Sequence, residues 1–159
     1  MDGTKCLSIP NLLRSMINGQ HYTSIFTDAS YDHKTKVAGY AVWFRHKDSD
    51  PTRLSGSSLD IKDNNHAEAL AIQVAIDHFL EKNIDLTDVI VIIQSDCTTA
   101  LDWFKAKPNP LSSLNPKSVV FRHVKGHQGT VTKRNAVNTW CDRESRHQMR
   151  TLRKQVEQI

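Results

Sequence analysis

The sequence has little of what marks a secreted or membrane-spanning protein. Its three cysteines, Cys6, Cys97 and Cys141, cannot all pair and form no CxxC motif, so they predict reduced thiols and a cytoplasmic location. The longest apolar run, residues 89–93, is far shorter than the ~18 residues of a membrane span. Residues 1–10 carry no apolar signal-peptide core, which predicts that no secretion signal is cleaved.

Repeats, low-complexity tracts and interdomain linkers are also lacking, so 159 residues predict one globular domain. The composition, 38% hydrophobic and 24% charged, excludes a disordered or fibrous chain. Lysine and arginine number 21 against 17 acids, a net charge of +4. This balance favours a polyanionic partner only weakly.

Hydrophobic periodicity predicts the order β-β-β-α-β-α-β-α after an N-terminal extension, residues 1–21. The predicted strands are residues 22–27, 37–45, 53–59, 88–94 and 119–125, and the predicted helices are residues 66–82, 98–104 and 136–158. The extension is predicted to hold a short helix capped by Ser8, started by Pro10, continued through Met16 and Ile17 and ended by Gly19. Hairpins followed by βαβ crossovers predict an α/β fold, a mixed sheet with helices packed on it.

Four acids occupy distinctive positions in this order. Asp28 ends the first predicted strand, Glu68 lies in the first turn of the long helix, Asp96 follows the most apolar strand, and Asp142 lies near the start of the last helix. Each alone is equally consistent with a helix cap or a surface acid. Strand ends are nonetheless where open α/β sheets build their sites. Four converging carboxylates would suit Mg²⁺ or Mn²⁺, since both prefer hard oxygen ligands.

Five short motifs surround these acids in a fixed order. They are TDAS at residues 27–30, NNHAEA at 64–69, QSD at 94–96, VKGHQG at 124–129 and NTWCD at 138–142. In content and order they resemble type 1 ribonuclease H, over residues 22–149. The resemblance implies an RNase H-like fold for residues 22–159: a five-stranded mixed sheet, three antiparallel strands then two parallel, with helices on both faces.

The resemblance also implies an activity and roles for named residues. It implies a monomeric endonuclease with no membrane partner that cuts the RNA strand of RNA–DNA hybrids, leaves 3′-hydroxyl and 5′-phosphate ends, and uses two Mg²⁺ ions, with Mn²⁺ as a substitute. The implied metal-binding catalytic acids are Asp28, Glu68, Asp96 and Asp142, with His127 in proton transfer or product departure and Ser30, Asn64, Asn65 and Thr98 in substrate binding. Amide side chains suit this task because the 2′-hydroxyl of RNA both donates and accepts hydrogen bonds.

The sequence departs from the family pattern in two places. Residues 105–118 are too short and proline-rich for the basic handle that many members carry. Asp63 stands where many members have Thr, and Ile61 where some have Arg, so a phosphate pocket at this position is predicted to be weak. Basic residues near the last helix could compensate by contacting phosphates, although an ordinary solvated helix face is the favoured interpretation; they are Lys133, Arg134, Arg143, Arg146, Arg150 and Arg153. The tryptophans Trp43, Trp103 and Trp140 are predicted to be core residues rather than base-stacking platforms, although Trp103 follows Asp96 closely enough to line a DNA channel.

Two other functions stay open at this point. A DNA resolvase, exonuclease or transposase core shares such a fold but usually places its last acid differently and lacks the Gly-His-x-Gly loop. A non-enzymatic binding module can keep the fold without catalysis.

Overall fold

A computed structural model describes residues 16–17, 19–125 and 133–159. The strands are β1 (Met16–Ile17), β2 (Gln20–Asp32), β3 (Val37–His46), β4 (Thr52–Ser58), β5 (Val89–Ser95) and β6 (Ser118–His123). The helices are α1 (Asn64–Glu81), α2 (Thr98–Lys105) and α3 (Lys133–Glu157), with a short 3₁₀ turn at Ser112–Leu114. None of the described helices combines the length and apolar character that a bilayer crossing requires.

The five main strands form one mixed sheet in the order β4-β3-β2-β5-β6. β2, β3 and β4 pair antiparallel, whereas β2 with β5 and β5 with β6 pair parallel. This confirms the predicted α/β fold with a five-stranded mixed sheet. The parallel pairs form because α1 and α2 provide the crossovers that parallel neighbours require.

Side-chain alternation along β2 and β3 divides the core between the two faces of the sheet. Ile25 and Val42 pack with residues of α1 and α2, whereas Phe26 and Trp43 pack with Cys141 and its neighbours in α3. Helices therefore cover both faces, as predicted. Trp43 is a core residue, but Trp103 is 52% exposed and the prediction for it was wrong.

The predicted helix in the N-terminal extension is wrong at its C-terminal end. Met16 and Ile17 form β1, which pairs antiparallel with Gln20 and His21 at the start of β2. Gly19 has a φ of 83°, a left-handed conformation that allows the tight reversal between the two strands. The remainder of that predicted helix, with Ser8 and Pro10, lies outside the described residues.

The first predicted strand is longer than its sequence pattern indicated, so Asp28 does not end it. β2 continues to Asp32 because β3 pairs with it as far as Asp32 with Val37. Its parallel partner β5 stops earlier, at the pair of Phe26 with Gln94. Asp28 therefore lies inside β2, just beyond the end of the parallel pairing.

α3 approaches β3 closely at Gly39. Gly39 of β3 faces the backbone of α3 at Ser145 and Met149, and a Cβ atom at residue 39 would lie under 3.0 Å from this backbone. The buried face of α3 is accordingly formed by residues four apart: Val137, Cys141, Ser145 and Met149. Ile159 is fully exposed beyond the helix end.

Candidate active site

Asp28 and Asp96 meet because β2 and β5 run parallel in register. The last paired residues are Phe26 and Gln94, and each acid lies two residues further along its chain. A step of two residues keeps a side chain on the same face of an extended strand. The sheet thus brings together two carboxylates that are 68 residues apart in the sequence.

Glu68 joins them from α1. The helix begins at Asn64 because the side chain of Asp63 caps it and accepts a 2.8 Å hydrogen bond from the backbone N–H of His66. The prediction that Glu68 lies in the first turn was wrong, because this earlier start places it in the second turn, with its side chain 6% exposed. Carboxylate oxygens of Asp28, Glu68 and Asp96 lie within 4.8 Å of one another.

Asp142 lies beside these three acids without joining their cluster. It lines the same cavity of about 380 Å³, together with Asn64, Ala29 and Cys97. Arg146, one helical turn further along α3, binds both of its carboxylate oxygens. The structure thus brings all four predicted acids to one cavity but groups only three of them closely.

Burial and mutual repulsion oppose ionisation of the clustered acids. Burial first, then the charge of Asp96, raises the pKa of Asp28 to about 7, although the N–H of Ala29 donates to its carboxylate at 2.9 Å. Burial and the charge of Asp28 raise the pKa of Glu68 to about 10. A nearby cation would reverse both effects, since an opposite charge favours the ionised form.

The side chain of Glu68 indicates that a cation fits this site. Its Oε1 atom is buried and has no hydrogen-bond partner. Native proteins rarely leave a buried polar oxygen unpaired, because an unpaired group keeps its full desolvation cost. Together the carboxylates of Asp28, Glu68 and Asp96 offer three hard oxygen donors, the type of ligand that Mg²⁺ and Mn²⁺ prefer.

We expect Mg²⁺ to raise the melting temperature of the protein, and to do so more at about pH 8 than at about pH 6. The folded-state pKa of Asp28, about 7, lies above its ordinary value of 3.8, so below pH 7 a cation must displace a proton from the folded site. Above pH 7 Asp28 is ionised and no longer competes, whereas the proton on Glu68, whose pKa is about 10, opposes cation binding less as the pH rises. A cation at 100 times its Kd stabilises a protein by about 2.7 kcal/mol.

Thermal unfolding with Mg²⁺ and with EDTA, at both pH values, measures this difference. The control is Na⁺ at matched ionic strength, which should have little effect. An Mg²⁺ shift that is equal at both pH values, or larger at the lower one, would contradict the expectation.

The predicted substrate-binding residues lie around the cavity rim. Asn64 is exposed and lines the cavity itself. Asn65 is exposed and accepts a hydrogen bond from Cys97 at 3.4 Å. Thr98 is the exposed first residue of α2, and the Ser30 hydroxyl lies 3.2 Å from that of Ser145. Ser30, Asn64 and Asn65 thus lie on elements that carry candidate acids, and Thr98 directly follows the loop that carries Asp96.

A groove between α1 and α2 adjoins this rim. It is lined by Lys62, Asn65, His66, Ala69, Thr99, Ala100 and Trp103. The ammonium of Lys107 lies 4.1 Å from the centre of the Trp103 ring. Of the groove, only Trp103 was considered from the sequence as a channel residue, and the position of Cys97 in the cavity was not predicted, although Cys97 directly follows Asp96 on the same loop.

The departures from the family pattern have structural counterparts. Between α2 and β6 the chain forms only the 3₁₀ turn, whose Leu114 is buried, so no basic handle is present in these described residues. Asp63 serves as the N-cap of α1, and Ile61 is buried in the core. His127 lies outside the described residues, so its predicted role is not tested by the structure.

Comparison with known proteins identifies the family. The sequence matches RNase H over residues 20–150, and the chain belongs to this family. A comparison with curated proteins found no match.

Solved structures with this fold include three RNase H proteins of low sequence identity. LC11-RNase H1 in complex with an RNA/DNA hybrid has 16% identity and a TM-score of 0.60, covering 82% of this chain and 98% of that one. An N-terminal RNase H domain from Mycobacterium tuberculosis has 16% identity and a TM-score of 0.60, covering 84% and 97%. RNase H1 from Halobacterium salinarum has 14% identity and a TM-score of 0.55, covering 82% and 98%. At these identities the likeness establishes the fold alone.

Proposed function

We propose that the protein is an endoribonuclease that hydrolyses the RNA strand of RNA–DNA hybrids with two divalent cations, Mg²⁺ or Mn²⁺. The observation that carries the proposal is the cluster of Asp28, Glu68 and Asp96 around an unpaired buried carboxylate oxygen. Its support comes from membership of the RNase H family and from the hybrid bound to the related LC11-RNase H1. In this proposal residues 22–159 form the catalytic domain, residues 1–21 an extension, and the enzyme acts as a cytoplasmic monomer.

The acids of the cavity hold the catalytic cations in this proposal. Asp28, Glu68 and Asp96 ligate from the sheet edge and α1, and Asp142 ligates from α3. Two divalent cations held by these acids would supply activation of a water on one side of a phosphorus and stabilisation of the leaving oxygen on the other. Water as the nucleophile and departure of the ribose 3′-oxygen give the 3′-hydroxyl and 5′-phosphate ends. His127 assists by transferring a proton, since imidazole titrates near neutral pH.

Selection of RNA follows from the same rim. Amides of Asn64 and Asn65 can both donate to and accept from a base edge or a 2′-hydroxyl. Ser30 and Thr98 offer hydroxyls and backbone groups beside the acids. The groove with the half-exposed Trp103 extends from this rim and accepts the DNA strand, because aromatic rings stack on any base.

A panel of strand-labelled substrates tests the proposal. We expect cleavage of the RNA strand in the hybrid with Mg²⁺ and with Mn²⁺, no cleavage in EDTA, and little cleavage of duplex DNA, duplex RNA or single strands. End-group analysis of the products should give 5′-phosphates. Preferential cutting of DNA would instead indicate a resolvase or exonuclease of the same fold, and hybrid binding without turnover would indicate a binding module.

A further inference from the structure

Arg146 binds the carboxylate of Asp142 on the α3 side of the cavity. One terminal nitrogen, Nη2, lies 2.8 Å from Oδ2 and 3.0 Å from Oδ1. The i, i+4 spacing on α3 brings both side chains to the same helix face. The pair is partly withdrawn from water, with the two side chains 42% and 30% exposed. Both oxygens of Asp142 are therefore already engaged by a cation that belongs to the protein.

This contact distinguishes Asp142 from the other acids. Asp28, Glu68 and Asp96 share a volume in which their oxygens lie within 4.8 Å, and Glu68 has an unpaired oxygen there. Asp142 borders the same cavity but has its charge balanced by Arg146. The guanidinium charge also reaches Asp28, whose pKa it lowers against the stronger effect of burial. The cavity thus has an unpaired oxygen on its Glu68 side, whereas Arg146 engages both carboxylate oxygens on its Asp142 side.

We propose that Arg146 is a positioning residue that competes with a divalent cation for Asp142. Consequently, the cation on the Asp142 side binds more weakly than the cation among Asp28, Glu68 and Asp96. A cation gains an oxygen of Asp142 only if the guanidinium gives up a hydrogen bond. Arginine stays charged at any relevant pH, so the competition persists throughout the working range. This inference rests on the proposed two-cation function.

Binding of Mn²⁺ to the full chain, measured by calorimetry without nucleic acid, tests this role. We expect Arg146→Met to tighten the weaker binding phase roughly tenfold, a typical size for coupling between two ligands, or to reveal a second phase that the wild type lacks. The tighter phase should stay unchanged. Arg146→Lys, which keeps the charge on a shorter side chain, should give an intermediate value.

Arg150→Met is the matched control, because Arg150 lies one turn further along α3 and is exposed. It should leave both phases as in the wild type. The Mn²⁺ concentration that gives half-maximal cleavage should fall in Arg146→Met by the same factor as the weaker Kd. Circular dichroism checks folding, and Arg146→Gln replaces Arg146→Met if the latter does not fold.

The outcomes separate this inference from the proposed function. If the weaker phase has the same Kd in the wild type and in Arg146→Met, the inference is overturned and the two-cation function stays intact. A higher Kd of the weaker phase in Arg146→Met would also overturn the inference, because Arg146 would then only orient Asp142. A wild type that binds no Mn²⁺ would overturn both.

Discussion

Glu68→Gln should abolish hybrid cleavage, by at least about 10³-fold, and make the cation-free protein more stable. The loss of activity is expected because an amide keeps the shape of the side chain but removes the charge that holds a cation. The gain in stability follows from burial, since Glu68 is 6% exposed and its Oε1 has no partner. The replacement therefore separates catalysis from folding.

The sign of the stability change depends on pH and on cation. The pKa of Glu68 is about 10 in the folded protein and 4.5 in the unfolded chain, so in EDTA the folding of the wild type takes up a proton between these values. The wild type thus loses stability as pH rises through this range, while a Gln at this position does not titrate. In EDTA the variant should melt above the wild type by a margin that grows with pH.

In saturating Mg²⁺ the wild type should instead melt at a higher temperature than Glu68→Gln, because only the wild type keeps the full set of ligands. Thermal unfolding in EDTA and in Mg²⁺, together with a hybrid cleavage assay, measures both effects. Glu81→Gln makes the same chemical change at an exposed residue of α1 and should leave activity and melting unchanged. Cleavage by Glu68→Gln within tenfold of the wild type would refute the assignment of Glu68 as a cation ligand.

Gly39→Ala should destabilise the protein by about 3 kcal/mol or more. A Cβ atom at residue 39 would lie against the backbone of Ser145 and Met149, closer than atoms pack in proteins. Backbone cannot rotate aside as a side chain does, so α3 must move away from β3. That movement also shifts Asp142, which α3 carries, relative to Asp28 on β2.

Urea unfolding measures the stability loss, and hybrid cleavage by the folded fraction measures the effect on the site. Gly56→Ala is the matched control: on the neighbouring strand β4, a Cβ at residue 56 would meet the far end of the Tyr40 side chain. Because that ring can turn away, we expect a loss of less than about 1 kcal/mol. Equal losses of unfolding free energy in the two variants would show that the close contact between β3 and α3 does not cause the destabilisation.

Local patterns predicted the elements of this protein well but not their limits. The spacing of Ala71, Ala75 and Phe79 predicted α1, and these residues are buried in it. Its start was predicted two residues late, since Asp63 was interpreted as a phosphate-repelling acid and is instead the N-cap. The extension of β2 beyond Asp28 depends on pairing with β3, which local sequence does not encode.

The candidate site was predicted from motifs rather than from spacing. Residue types and their order indicated Asp28, Glu68 and Asp96 as cation ligands, and the structure brings their oxygens together. The contact of Arg146 with Asp142 follows an i, i+4 spacing that is visible in the sequence, yet Arg146 was interpreted only as part of a basic helix face. The roles of His127, Ser30, Asn64, Asn65 and Thr98 stay predictions.

The sequence by itself determined the order of elements from β2 to α3, the mixed sheet and the identity of the candidate acids, because periodicity and residue chemistry are local properties. Only the tertiary structure decided which acids share a cavity and which acid is paired with a protein cation. It also decided that Gly39 is the point where α3 approaches β3. These features depend on strand register and helix placement, which arise from packing between residues far apart in the chain.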